Sequence, residues 1–486
     1  MMNDGARNSQ EARKSKLEHP VRRLLFHVPL VLSLCSSANL LAEAAERLHP
    51  TVEIEEEVYT CEPANNGAGP MWCAGSTCLV RIGENVFASG LETLKDAPPL
   101  NNCRWMLFKR GPAGWEKVHV DDIGRTREPC PLAGFPDGRL FLSANPTLKQ
   151  AGESGGGAAR PEILQFSPAK LSAPFETILP VWNGTPRFTE HSYRSFAADA
   201  ANRELILFQN IDYTHAEWAF CDRGGKWSAR GQLKWPWGAE YDKPQPIRVC
   251  YPTVALKDRA VYFCGVSDVV EPYARWRDFK KQLTGREWDY DFRRLFFTWS
   301  PDITTGKFSD WIEIASRDKT AGSLFPADLW VAPGGDVHLL WTERAIDERL
   351  REKFFAEAKQ LHALNYAVVR DGKVLSLRTL AQGGEGLSGE IPSAGRFQVT
   401  RDNRLFVFYY VSGKDKEGRG VSENRLMELR PGGATDESVR VPLKVPFTSF
   451  FTATVRAGSP PSNTLELLGQ RVGQPLAIGY ARIRLW

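Results

Sequence analysis

The sequence predicts an all-β fold, a seven-bladed β-propeller with two short helical insertions. Three observations predict it. One unit recurs seven times: an apolar strand, a tight Gly/Asn/Asp turn and a second apolar strand, with turns near residues 84, 137, 202, 258, 335, 403 and 460. A second kind of hairpin lies between the copies, which makes four strands for about 60 residues, the size of a propeller blade. The aromatic load is heavy, 15 Trp and 26 Phe against five Met, as expected where sheets are covered on both faces by their neighbours. Apolar residues at 42% and charged residues at 25% of 486 exclude global disorder. A pair of β-sandwiches is the competing architecture, but it does not need one two-hairpin unit seven times.

The elements follow in order. Residues 1–44 read as a signal peptide or N-terminal tail: Arg22-Arg23 precede an apolar run from Leu24 to Leu41, and small residues follow at Ala42 and Ala44. This predicts a periplasmic or secreted protein, and residues 45–486 as one propeller domain. TVEIEEEVYT, at 51–60, is placed beside the C-terminal IGYARIRLW to close the ring, its glutamates marking a charged edge strand. The first hairpins are CLVRIGENVFASG, LAGFPDGRLFLSA, FAADAANRELILFQN, TVALKDRAVYFCG, LWVAPGGDVHLLW and FQVTRDNRLFVFYY, and TATVRAGSPPSNTLELLG is a looser seventh. The second hairpins include RWMLFKRGPAGWEKV and LFFTWSPDITTGKFSDWIEI. Helical inserts are expected over 273–294 and 347–362, and Gly152–Ala159 as a surface loop.

Charge and cysteines narrow the partners. The net charge is +4, and loss of residues 1–44 removes six basic and four acidic side chains and leaves +2. That is too neutral for a protein that binds nucleic acid along a basic surface. No run beyond the N-terminus reaches the ~18 apolar residues of a membrane-spanning helix. Eight cysteines remain after cleavage, an even number that permits disulfides in an exported chain, with buried thiols as the alternative. Ligand spacings predict no metal and no cofactor, and the chain is expected to be a monomer.

In a propeller the A–B turns share one face, and the B–C and D–A connections share the other. Here the A–B turns are short and plain, so the functional groups are expected in the long connections around the opposite funnel. These place Trp72, Arg127, His191, Tyr193, Arg194, Arg248 and Tyr251 at starts of A strands, and His215, Glu343 and Arg344 in B–C connections. Converging arginines suit carboxylate or sulfate, because guanidinium forks match planar anions. A strand-end arginine is also an ordinary ion-paired residue. His338, in mid-strand, is expected in the core. Trp288 and Tyr290 either anchor the first insert or stack on a sugar.

The segment Trp299-Ser300-Pro301-Asp302, followed by Gly306-Lys307-Phe308 and Trp311, resembles a stretched Asp box, the C–D turn motif of the sialidase (BNR-repeat) superfamily. The resemblance, together with the blade pattern over residues 58–486, implies a carbohydrate-active propeller. In sialidases an arginine triad holds the substrate carboxylate and a Tyr–Glu pair supplies the nucleophile, roles open here to Arg127, Arg248, Arg344, Tyr251 and Glu343. The chain is similar also to propeller-type polysaccharide lyases, in which His and Tyr act as base and acid while Arg neutralises a uronate. His191, Tyr193, His215 and Tyr251 are the catalytic candidates for that chemistry. Trp72, Arg127, Arg194, Arg248, Glu343 and Arg344 are the substrate-binding candidates. The expected partner is an anionic glycan, cleaved by hydrolysis or β-elimination. A non-catalytic glycan- or protein-binding propeller is the alternative.

Overall fold

Each repeat becomes a four-stranded antiparallel sheet, and seven such sheets are arranged around one axis. The computed structural model describes residues 48–486 apart from 123, 168–169, 175 and 431–436. The proposed signal peptide lies outside the described residues. The innermost strands of blades 1 to 7 are Leu79–Ile82, Leu132–Gly134, Ser195–Asp199, Val249–Lys257, Ala321–Val331, Glu390–Val399 and Phe447–Thr452. Neighbouring A strands face one another around the axis.

Blade 7 closes the ring as the sequence predicts. Its sheet runs Phe447–Thr452, Thr464–Arg471, Gln474–Arg484 and then Thr51–Thr60, with Thr51 opposite Arg484 and Thr60 opposite Ala477. The glutamates of Thr51–Thr60 do more than charge an edge. Glu56 grips Arg110 of blade 1 (Nη2–Oε1 2.6 Å), and Glu55 accepts the backbone N–H of Lys444. The closing strand is therefore tied to blade 1 and to the segment entering blade 7.

Apolar alternation fills the gaps between blades. Trp218 and Phe208 of blade 3, for example, are packed with Val254, Phe263 and Phe296 of blade 4. Equivalent cores join every other adjacent pair around the ring. Trp218 is among the largest fully buried side chains, and truncating such a residue to Ala costs about 3–5 kcal/mol.

The two inserts form helices α1 (Ala274–Thr284) and α2 (Glu348–Phe354) in the B–C connections of blades 4 and 5. They share a small core of Trp276, Leu350 and Ala321 with phenylalanines around it. Beside it Lys280 is buried among Glu271 (2.6 Å), Asp289 (3.0 Å) and Asp347 (3.5 Å), and Glu271 also holds Arg293. The inserts are thus pinned to the ring by ion pairs as well as by apolar burial.

The Asp302 segment is a C–D turn between Arg294–Ser300 and Ile312–Ser316. Asp302 caps a single 3-10 turn, accepting from the Thr304 N–H at 2.9 Å, and Gly306 follows with φ 68°. Trp311 lies against Phe263 and Phe296 and donates to the Lys234 carbonyl (2.9 Å), which ties blade 4 to blade 3.

Candidate functional site

The face formed by the D–A and B–C connections carries a compact aromatic cluster with a buried carboxylate on each side. Trp72, from the connection into blade 1, is stacked on Tyr193 at 4.8 Å between ring centroids and lies 5.1 Å from His191 and 5.4 Å from Tyr251. His191 and Tyr193 are 4.6 Å apart, and Tyr193 and Tyr251 5.1 Å. Phe325 of blade 5 completes the wall, 4.8 Å from Tyr251.

Backbone geometry aims two of these rings. Tyr193 has φ 42° and Tyr251 φ 49°, the left-handed region that bulky residues rarely enter. Tyr251 sits where the pairing of strand A with strand B slips, between Cys250 and Thr253. A bulge of this kind turns a side chain out of the sheet. Such a conformation costs about 1–3 kcal/mol and persists only where the surroundings enforce it. Both hydroxyls are raised well above the usual tyrosine pKa, first by burial and then by the neighbouring Cys250 and Asp268, so both rings stay protonated.

Behind His191 lies Glu128, wholly buried, with Oε1 3.3 Å from Nδ1 of the imidazole. The Ser192 N–H and Oγ donate to the same carboxylate at 2.8 and 2.5 Å. Burial alone would raise this carboxyl. The neighbouring His191 and Arg194 and the Ser192 hydroxyl outweigh burial and hold it below the usual range. With Nδ1 turned to Glu128, Nε2 lies on the opposite edge of the ring. That is the arrangement in which a carboxylate fixes the orientation of a histidine base.

On the other side Arg248 is paired with Asp268 (2.5 Å), both nearly buried. Its guanidinium carbon lies 3.9 Å from the Tyr213 ring centroid, 5.1 Å from that of Tyr193 and 5.8 Å from that of Tyr290. Tyr213 and Tyr290 meet hydroxyl to hydroxyl at 2.7 Å. Nε of Arg248, and Oδ1 and Nδ2 of Asn210 in the second strand of blade 3, are buried with no hydrogen-bond partner among the described residues.

Of the residues singled out in the sequence, Trp72, His191, Tyr193, Arg248 and Tyr251 come together. The remaining candidates have other surroundings. Arg127 is held by the Asn66 carbonyl (2.9 Å) and lies 3.6 Å from Glu190. Arg194 is buried and donates to the Pro129 carbonyl (2.6 Å). His215 pairs with Glu217 of its own strand (3.1 Å) and has Thr214 on its other nitrogen. Glu343 is tied to Arg317, and Arg344 is exposed. Hence neither an arginine triad nor a Tyr–Glu pair forms at the cluster among the described residues. Glu128, Asp268 and Phe325 complete the cluster. The first two stand out in sequence only as acids in the right loops, and nothing local marks Phe325.

The cysteines from 61 onward are all thiols. Burial pushes Cys78, Cys130, Cys221 and Cys264 up to about 12, so they are packed groups without thiolate character. Among the described residues no three His, Cys, Asp or Glu side chains are grouped closely enough to hold a metal ion.

No protein-family model and no curated protein matches the sequence. Solved structures are similar at low identity. An α-L-arabinanase of Penicillium chrysogenum complexed with arabinobiose is 10% identical over 90% of this chain and 99% of its own, at a TM-score of 0.41. A subtype N11 neuraminidase-like protein of an influenza virus from a flat-faced bat is 10% identical over 80% of this chain and 96% of its own, at 0.34. An ACO/RPE65 chimera is 11% identical over 90% of this chain and 93% of its own, at 0.41. Likeness at this level does not identify a reaction.

Proposed function

We propose that the protein is an exported carbohydrate-active propeller that cleaves a uronate-containing glycan at the Trp72–His191–Tyr193–Tyr251 cluster. One observation carries the reading: a histidine backed by a buried carboxylate faces two tyrosines kept protonated in strained backbone, beside a half-satisfied arginine. These are the parts that β-elimination needs. His191 Nε2 takes the C5 proton, its electron pair forms the C4–C5 double bond, and the C4–O bond breaks onto the leaving oxygen. Tyr251, or Tyr193 beside it, protonates that oxygen. Arg248, enclosed by Tyr193, Tyr213 and Tyr290 beside the cluster, stabilises the charge that develops at C5 through its field rather than by direct contact. Trp72 supplies an apolar face for a sugar ring. Asp268, 2.5 Å from Arg248, offsets part of the arginine's charge. Hydrolysis through two acids is less well supplied, because Glu128 and Asp268 are both engaged by their own partners.

The test is absorbance at about 232 nm, the usual band of the unsaturated uronate that elimination leaves, while the protein digests uronate and sulfated polysaccharides. Reducing ends and free sialic acid are measured in parallel. Rising absorbance, lost in His191→Ala, is the expected result. Reducing ends without absorbance would replace elimination by hydrolysis. Silence in all three assays, with glycan binding retained, would make the ring a binding module.

A further inference from the structure

The first insert presents an indole that the cluster does not use. Trp288 is 71% exposed, next to the ion-paired Asp289. Val269 and Val270 pair with Asp291 and Tyr290, and the Glu271 N–H donates to the Asp289 carbonyl (2.8 Å), so the ladder continues to Asp289. Side chains alternate along such a segment. Asp289 and Asp291 turn inward: Asp289 Oδ2 lies 3.0 Å from both Lys280 and Arg349, and Asp291 faces Ser267 and Arg293. Tyr290 turns the other way, to Tyr213 and Arg248, and continuing the alternation one residue beyond the ladder puts Trp288 on the side of Tyr290. An exposed apolar ring held by a rigid frame is costly to leave in water and loses little entropy on binding.

We propose that Trp288 is an outer sugar-stacking platform, so that a glycan chain bound at the cluster runs across Tyr213 and Tyr290 and lays a further ring on the indole. This inference rests on the glycan reading above and deepens it, making the preferred ligand an oligosaccharide or polymer. Sugar rings offer axial C–H faces that pack on aromatic planes, and contacts of this type account for roughly a 3- to 10-fold change in affinity.

The experiment measures binding of dimers to hexamers of galacturonan, mannuronan and arabinan to the wild-type protein, Trp288→Ala, Trp288→Phe and Trp237→Ala. The readout is titration calorimetry with the His191→Ala substitution present throughout, which prevents turnover. Trp237 is 60% exposed on the Trp237–Gly238 and Gln245–Pro246 hairpin and serves as the control. The expected result is a loss of roughly 3- to 10-fold in Trp288→Ala on the longer oligomers only, restored in Trp288→Phe and absent in Trp237→Ala. Equal affinity in wild type and Trp288→Ala at every length would overturn the platform and leave the glycan reading intact. A loss of the same size on dimers, or in Trp237→Ala, would also overturn it. Binding of no oligomer by any form would remove the glycan reading and the platform with it.

Discussion

The two faces of the ring solve the problem of buried charge in opposite ways. On the A–B face the seventh turn, unlike the other six, folds across the axis as a 3-10 turn, Val455–Ala457. Its Arg456 is fully used: Nε and Nη2 lie 3.1 and 2.6 Å from Asp328 Oδ1, and Nη1 donates to the carbonyls of Gly75 and Val254. Asp328 Oδ2 accepts from the Phe397 N–H (2.9 Å). Four blades meet in this knot, and none of the three Arg456 nitrogens is left over. Above it a bowl of about 630 Å³ is lined by Phe135, Leu256, Trp330, Val331 and Pro460. On the opposite face the Arg248–Asp268 pair is equally buried but incompletely bonded, and strained tyrosines stand around it. A buried pair that satisfies itself holds a structure together. One that keeps donors unfilled and sits among protonated acids and a histidine is equipped for chemistry. Cavity size alone would point to the bowl, on the face opposite the cluster.

The largest expected effect breaks the axial knot. Asp328→Ala leaves Arg456 buried without its partner and should lower stability by about 3–5 kcal/mol, read as a fall in the denaturation midpoint, whatever it does to activity. An unchanged midpoint would mean that the knot is not structural.

A pH effect of similar rank comes from blade 5. Burial lowers the His338 imidazole to about 4, with Tyr366 at 2.6 Å on Nδ1 and the Trp330 ring tilted beside it, 4.8 Å between centroids. The folded chain keeps this ring neutral down to about pH 4, whereas the unfolded chain protonates it from about pH 6.5. The unfolded state therefore binds more protons in between. Stability is lost as pH falls through that window, by at most about 3 kcal/mol. In His338→Gln the melting temperature should vary less between pH 6.5 and 4 than in wild type. Parallel curves would contradict the assignment.

On the chemical face, Glu128→Gln keeps an acceptor for Ser192 but removes the charge behind His191. Turnover should fall by roughly 100-fold, the scale of one positioned acid–base group, with little change in melting temperature. If stability falls instead and activity per folded molecule holds, Glu128 belongs with Asp328 on the structural side of the comparison. The smallest effect is expected at Arg344, whose side chain is exposed. Arg344→Ala should change stability by less than about 0.5 kcal/mol and leave turnover within about twofold.

Much of the fold was legible because a propeller repeats its own signal. Each hairpin carries a period of two and a turn signature, and seven copies reinforce one another even where the last, around Pro460-Pro461, is irregular. Loop order then pointed to the face on which the aromatic cluster gathers. The membership of the site was less legible. His191, Tyr193, Arg248 and Tyr251 were reachable as polar and aromatic residues at A-strand starts. His215 and Arg344 look the same in sequence, but His215 is paired with Glu217 and Arg344 is exposed, since a B–C position fixes the face and not the partners of a side chain. The backbone strain at Tyr193 and Tyr251, and the burial of Glu128 against His191, depend on neighbours from other blades. The axial role of Arg456 was equally hidden, because Gly75, Val254 and Asp328 lie more than a hundred residues away in the chain.

The central claim is that glycan is engaged on the face of Trp72 and not in the bowl of Trp330. Labelling the tryptophans with 5-fluorotryptophan and assigning these two by Trp→Phe substitution gives each face its own fluorine resonance. On titration of His191→Ala with a uronate hexamer, the Trp72 resonance should shift in proportion to occupancy while that of Trp330 stays fixed. A shift of Trp330 with Trp72 unmoved would contradict the account.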